Sequence, residues 1–239
     1  MKSKIIWYQS LDSTNNEALR QIDMLDSLSV IASRFQTAGR GQRGNSWSSK
    51  SGENLMFSIV LKNGIPVRKQ FIINEIASIS VVELMKRHRL TAKIKWPNDI
   101  YVGDRKICGI LIEHSVSGNK LGRSIIGIGI NVNQTDFPEN LPNPTSMVRE
   151  GAEKLDPEQL LEEFMQIFES FSSADDGILR KMYLEHMYRF GEEHEFTDIL
   201  ENKLFKGTIS GIDDIGCLVI KATGGESRTY GFKEISFIV

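Results

Sequence analysis

The stretch Gly127-Ile128-Gly129-Ile130-Asn131-Val132-Asn133 sets two glycines inside a β-rich run that extends from Arg123 to Val132. Glycine weakens a strand interior, because it has no side chain to pack, so its presence there implies a bulge or the close approach of another group. A flat ligand lying against the sheet answers that description, and a bulge answers it equally. The preceding run, Ile107 to Val116, is also β-rich, and Ser117-Gly118-Asn119-Lys120-Leu121-Gly122 joins the two as a hairpin.

Further elements group around this hairpin. Residues 4–9 read as a strand, and Thr14-x-x-Glu17 reads as a capping box ahead of Ala18, Leu19, Ile22 and Leu25 at helical spacing. Val30 to Phe35 and Leu55 to Leu61 are strand-like, with a polar, glycine-rich stretch from Gln36 to Asn54 between them. Phe71 to Met85 is apolar almost all round and predicts a buried helix. Ala92 to Trp96 alternates until Pro97, which cannot donate to a ladder. A low-contact, proline-bearing segment, Asn133 to Gly151, precedes a helix capped by Asp156 with Pro157 at its first position. A second helix covers Ile178 to Tyr188. From about Gly191, short strands at Lys203 to Ile212, Gly216 to Ala222, Ser227 to Phe232 and Ile235 to Val239 form a small barrel. The expected class is α+β: a mixed or antiparallel sheet with helices over residues 1–190, and a β barrel over 191–239.

Composition narrows the function. The chain has 239 residues, enough for a full core without disulfides or a structural metal. Two cysteines, Cys108 and Cys217, lack any zinc-like spacing, so a reducing cytoplasm fits best. Lys+Arg 29 against Asp+Glu 31 gives a net charge of −2, with no footprint for general nucleic-acid binding. No apolar stretch is long enough for a membrane helix, and the N-terminus does not read as a signal peptide.

Four motifs carry chemistry. Gly39-x-Gly41-x-x-Gly44 has the spacing of a dinucleotide fingerprint but runs into Ser48-Ser49-Lys50-Ser51-Gly52 rather than a helix, and Ile59 to Gly64 supplies no acid for a ribose. Its unobstructed amides with Arg40 and Arg43 suit a phosphate or an activated carboxylate; a solvated surface loop is the plain alternative. Lys95-Trp96-Pro97-Asn98-Asp99 could hold a polyphosphate and its magnesium, or simply end a strand. Lys106 enters the apolar run Ile107-Cys108-Gly109-Ile110-Leu111-Ile112 with no evident protein partner nearby in sequence. A bound anion would offset that cost, and so would snorkelling to solvent. The strand glycines are the fourth.

In this order the motifs closely resemble those of the biotin–protein ligases. The resemblance rests on Ser13-Thr14-Asn15, Gly39-Arg40-Gly41-Gln42-Arg43-Gly44-Asn45-Ser46-Trp47, Lys95-Trp96-Pro97-Asn98-Asp99, Arg105-Lys106 through Gly109-Ile110-Leu111 to Glu113, and Gly127-Ile128-Gly129-Ile130-Asn131. It implies a catalytic domain like that of class II aminoacyl-tRNA synthetases and an SH3-like terminal barrel. It also implies that biotin is bound by Ser13, Thr14, Asn15, Gln36, Gly39, Arg40, Gly41, Lys106, Gly109, Gly127 and Gly129. ATP with its Mg2+ would meet Arg40, Gln42, Arg43, Trp47, Lys95, Asn98, Asp99 and Asn131. Lys106 and Arg40 would be the catalytic residues. Many family members carry arginine where this chain has Gln42, and a basic residue where it has Asn45, so two charges that could retain the adenylate are missing.

The implied reaction joins biotin to ATP as biotinyl-5′-AMP and passes biotin to a lysine of a biotin carboxyl carrier domain. It needs no protein nucleophile, and none is evident. A lipoate–protein ligase is the nearest alternative. A repressor form would need an N-terminal DNA-binding domain, for which the eleven residues before Asp12 leave no room; neither DNA nor membrane is an expected partner, and a homodimer stays open. Two further expectations follow. Loop Gly39 to Gly44 has no large apolar residue and should be mobile without ligand, with Arg40 and Arg43 open to trypsin. Removing residues 191–239 should damage transfer more than pyrophosphate release, since all four motifs precede residue 134.

Overall fold

The computed structural model describes residues 4–62 and 64–238, and the side chain of Arg43 lies outside the described residues. Seven strands form the larger sheet: β1 (Ile5–Tyr8), β2 (Val30–Ser33), β3 (Leu55–Leu61), β4 (Ala92–Lys95), β5 (Asp99–Val102), β6 (Arg105–Ser117) and β7 (Lys120–Ile130). Their order is β1-β2-β3-β7-β6-β5-β4. Only β1 and β2 pair in parallel, and every other neighbouring pair in this sheet is antiparallel. The mixed sheet and its central β6–β7 hairpin are those read from the sequence.

Two helices make the opposite faces. Helix α1 (Thr14–Arg20) sets Ala18, with Ile22 and Leu25 just beyond its end, against Ile31, Val60 and Ile125. Helix α2 (Phe71–Arg87) is buried nearly all round, because the sheet, α3 (Pro157–Phe171) and α4 (Asp176–Glu185) surround it. The expected cap of α3 is present: Asp156 accepts from the Glu158 backbone N–H.

Three local expectations are corrected. Thr14 and Glu17 make no capping box. The helix starts after Ser13, whose side chain does not cap it; Gln36 Oε1 instead accepts the Thr14 N–H at 2.7 Å, and Glu17 pairs with Arg20. A tertiary partner has replaced the local one. Leu19, placed on the apolar face by spacing, is 60% exposed, because the helix buries its Thr14–Asn15–Ala18 side. The segment 133–151 is not low in contacts: Thr145, Ser146 and Met147 are fully buried, and Met147 N–H donates to Asn131 O at 3.0 Å.

The terminal sheet comprises β8 (Glu193–Asp198), β9 (Lys203–Ile212), β10 (Leu218–Ala222), β11 (Ser227–Tyr230) and β12 (Ile235–Phe237) in the antiparallel order β11-β10-β9-β8-β12. This is the small barrel-like unit expected, with β8 added. Its β9–β10 turn docks on the larger unit. Trp96 Nε1 donates to Gly216 O at 2.9 Å, and the Trp96 ring stacks on Phe232 with centroids 5.2 Å apart. Arg180 donates to the carbonyls of Ile212 and Asp213 while pairing with Glu75, which is only 1% exposed. Burial raises the Glu75 pKa despite the guanidinium, so this pair fixes geometry more than it adds stability.

Trp96 belongs to the Lys-Trp-Pro-Asn-Asp motif, so removing residues 191–239 would strip its ring and orphan its N–H. The expectation that transfer would suffer more than pyrophosphate release is therefore revised: both half-reactions should fall. Gly216 sits at φ +90, and a Cβ there would lie 2.1 Å from Phe71 Cδ2. Gly216→Ala should cost about 2–4 kcal/mol in urea unfolding, from backbone strain plus overpacking. Gly225, at φ +89 with nothing near its Cβ position, serves as control; Gly225→Ala should cost only the strain, about 1–2 kcal/mol. Equal losses would show that the Phe71 contact is slack.

Candidate functional site

The floor of the site is a patch of sheet without side chains. Gly109 on β6 pairs with Gly129 on β7, and Leu111 pairs with Gly127. The register shift in this pair lies at Ser115–Val116, so no bulge explains the glycines. Close approach does. A Cβ on Gly127 would lie 2.2 Å from Asn15 Oδ1, and one on Gly129 would lie 2.5 Å from Trp47 Cε2. One on Gly109 would lie 3.1 Å from Trp47 Cζ3 and 3.3 Å from Lys106 Cε. The groups against the glycines here are the chain's own. Trp47 lies over the floor with its buried Nε1 lacking a hydrogen-bond partner among the described residues.

The start of α1 makes one wall. Ser13, Thr14 and Asn15 are buried, and Ser58 Oγ donates to Asn15 Oδ1 at 2.6 Å while lying 2.8 Å from Thr14 Oγ1. Asn15 Nδ2 in turn donates to Glu113 Oε2 at 2.8 Å. These side chains are held by tertiary partners, as a binding wall requires.

The glycine loop makes the second wall, and it is folded rather than open. Gly41 N–H donates to Asn45 O at 2.7 Å, and Trp47 N–H to Gly39 O at 2.9 Å. Arg40 reaches out of the loop to Glu113, with Nη2–Oε1 2.6 Å and Nη1–Oε2 3.2 Å, and donates to Asn16 Oδ1 at 2.8 Å. The expectation of a mobile loop counted only residues 39–44. Its anchors are Trp47, just past that window, and Glu113, far away in sequence.

Lys106 supplies the third contact and corrects another expectation: it has a partner. Its Nζ lies 2.7 Å from Asp99 Oδ1 and 6.0 Å from the centroid of the Trp47 ring. Its backbone is clamped by the 133–151 segment, with Lys106 N–H donating to Asn143 O at 2.8 Å and Thr145 N–H to Lys106 O at 2.9 Å.

The resulting cleft, about 220 Å³, is lined by Ser13, Thr14, Asn15, Gln36, Arg40, Gly41, Gln42, Trp47, Asn98, Asp99, Lys106, Gly109, Gly127 and Gly129 among the residues expected there. Three others are placed elsewhere. Gly39 forms the neck of the loop, where a Cβ would lie 2.3 Å from Trp47 O. Asn131 lines an adjoining chamber of about 400 Å³, together with Phe137, Leu141 and Pro144. Trp47 and Lys106 line both spaces. Lys95 is outside the cleft: strand alternation turns it away from buried Ile94, and its Nζ donates to Tyr101 OH at 3.1 Å, 5.5 Å from the Phe237 ring. Burial holds its ammonium below the usual lysine range. Arg43 falls outside the described side chains. Glu113, Ser58 and the residues around Phe137 carry weight that motif reading did not give them; Glu113 stood inside a quoted motif, while the others had no local signal.

The chain is similar to known proteins over most of its length. The model of the biotin/lipoate A/B protein ligase family matches residues 7–131. The bifunctional ligase/repressor BirA of Bacillus subtilis (strain 168) is 31% identical over 238 residues, covering 96% of this chain and 73% of its own. The biotin–[acetyl-CoA-carboxylase] ligase of Paracoccus denitrificans is 29% identical over 228 residues, covering 90% and 92%. Among solved structures, the biotin protein ligase from Aquifex aeolicus in complex with biotin and ATP matches with TM-score 0.80 at 25% identity over 98% of both chains.

Because Glu113 anchors Arg40 from both carboxylate oxygens, Glu113→Gln should loosen the loop. Cleavage by trypsin after Arg40 should accelerate about two- to fivefold, the range of a partly exposed ion pair. Unchanged cleavage would mean that Trp47 alone secures the loop.

Proposed function

The chain belongs to the biotin/lipoate A/B protein ligase family, and from that premise we propose how its cleft works. It is an ATP-dependent ligase that activates biotin to biotinyl-5′-AMP and transfers biotin to a carrier protein. The observation that carries the residue-level reading is the meeting of two spaces at Lys106. The glycine-floored cleft suits the flat bicyclic head of biotin, with Ser13, Thr14, Asn15 and Gln36 as polar contacts to its ureido group. The adjoining chamber beside Asn131 and Phe137 suits the adenosine of ATP. Carboxylate and α-phosphate then face each other across Lys106.

Two cations of the cleft among the described residues already hold carboxylates: Lys106 holds Asp99, and Arg40 holds Glu113. Substrate binding exchanges these partners for the biotin carboxylate and the α-phosphate, which keeps each cation neutralised throughout. Biotin carboxylate oxygen attacks the α-phosphorus, and pyrophosphate leaves. Lys106 and Arg40 stabilise the charge that builds on the phosphoryl oxygens. Asp99, released from Lys106, is the carboxylate on the cleft wall that can face the magnesium carried by ATP. Trp47 must lift from Gly129 to admit ligand and can then cover it, which excludes water from a hydrolysable anhydride. Lys95 acts outside the cleft, as a support of the Lys-Trp-Pro-Asn-Asp turn.

We divide the chain into a catalytic unit, 1–190, and a small β unit, 191–239, that props it through Trp96. The acceptor is a biotin carboxyl carrier domain of a biotin-dependent carboxylase, and the setting is the cytoplasm, with no part for DNA or membrane. No helix among the described residues is long and apolar enough to cross a membrane.

The test is pyrophosphate–ATP exchange with biotin or lipoate as the acid. Exchange should depend on biotin, and Lys106→Ala should lower it by about 10²–10³-fold with an unchanged unfolding midpoint. Normal exchange in that variant would remove Lys106 from the mechanism, and preference for lipoate would overturn the substrate.

A further inference from the structure

The carbonyl of Pro97 is held from two helices at once. Asn74 Nδ2, on α2, donates to it at 2.6 Å, and Tyr183 OH, on α4, donates at 2.8 Å. Asn74 is 6% exposed, and Tyr183 is fully buried with its ring edge-on to Phe71 at a centroid distance of 5.5 Å. Burial holds the Tyr183 phenol well above its usual range, so near neutral pH the hydroxyl stays a donor.

One donor is enough to satisfy a buried carbonyl. The second comes at a cost: Asn74 commits its amide N–H to Pro97, and its buried Oδ1 has no donor among the described residues. The carbonyl is thus fixed more tightly than its burial requires. The next two residues, Asn98 and Asp99, line the cleft. Asn98 is hooked to β6, with its O accepting the Ile110 N–H at 3.2 Å and its Nδ2 donating to Ile110 O. Asp99 pairs with Gly109 in the sheet and holds Lys106. The turn between β4 and β5 is therefore pinned between two helices and the strand that carries part of the floor.

We propose that Asn74 and Tyr183 are positioning residues for adenylate formation, acting through the Pro97 carbonyl to hold Asn98 and Asp99 against the nucleotide. Neither touches substrate. The proposal rests on the ligase reading above, in which Asp99 gives up Lys106 and turns to the magnesium carried by ATP. A carboxylate that changes partners needs a main chain that does not follow it, and two donors on Pro97 supply that restraint. The biotin wall is held by other partners, with Ser58 bonded to Thr14 and Asn15. The two substrates should therefore feel the loss of the clamp unequally.

The experiment measures calorimetric affinities of the full chain for biotin alone, and for a non-hydrolysable ATP analogue with magnesium in the presence of biotin. Tyr183→Phe removes one donor and keeps the ring; Asn74→Ala removes the other. In each variant Kd for the analogue should rise about three- to tenfold, the range of one hydrogen bond, while Kd for biotin stays within about twofold. Tyr230→Phe is the control: it also deletes a buried phenol hydrogen bond, to Asp198 Oδ2 at 3.1 Å, but in the terminal unit. It should lower the urea midpoint as Tyr183→Phe does and leave both affinities parental. Unchanged analogue affinity in Tyr183→Phe or in Asn74→Ala, or parallel weakening of both ligands, overturns the clamp alone. So does a rise in Tyr230→Phe equal to that in Tyr183→Phe, which would mark a general loss of stability. A parent protein without biotin-dependent pyrophosphate exchange overturns the ligase reading and the clamp with it.

Discussion

Hydrogen in place of a side chain at Gly109, Gly127 and Gly129 lets other groups lie directly on the β6–β7 hairpin, and most of the site follows from that. Asn15 rests on Gly127 and brings the start of α1 with it; Trp47 rests on Gly129 and brings the glycine loop. Methyl groups at these positions would push both walls off the sheet and close the floor to any ligand. The glycines also make the strands intrinsically weak. Their neighbours offset this: Ile110, Ile126, Ile128 and Ile130 all point into the main core beneath.

Above that floor the electrostatics are arranged to be exchanged. Lys106 and Arg40, the cations that line the cleft among the described residues, each already hold a half-exposed carboxylate, Asp99 and Glu113. Ion pairs of this exposure are worth little, on the order of 0–1 kcal/mol, so a ligand can displace them cheaply. They nonetheless keep the cleft from holding unpaired charge. Glu113 does a second job, since it also takes the Asn15 amide and so ties the loop to the helix wall. Gln42 and Asn45 bring no charge to the loop, so on the proposed mechanism its hold on an adenylate depends more on Arg40 and Trp47.

Much of this was legible in the residues. The β6–β7 hairpin, α2 and the cap at Asp156 follow from periodicity and capping chemistry, and Lys106 and Arg40 follow from collinear motifs. What was not legible depends on partners distant in sequence. Thr14 and Glu17 have the spacing of a capping box, but Gln36 satisfies the helix start instead. Nothing next to Lys106 in the chain marks its partner, because Asp99 reaches it only across the β5–β6 pairing. The 133–151 segment, rich in turn residues, gave no sign that it forms a wall of the chamber beside Asn131. Lys95 shows the converse: motif membership suggested phosphate contact, while strand alternation turned it toward Tyr101 and Phe237.

A cleft that binds biotin has value to the cell only if the acyl group reaches a protein lysine. The direct measurement is the intact mass of a carboxylase carrier domain after incubation with the protein, biotin, magnesium and ATP. A gain of one biotinyl group, mapped to a single lysine and dependent on ATP, is the predicted result. An unchanged carrier mass, under conditions where a known ligase modifies the same carrier, would contradict it.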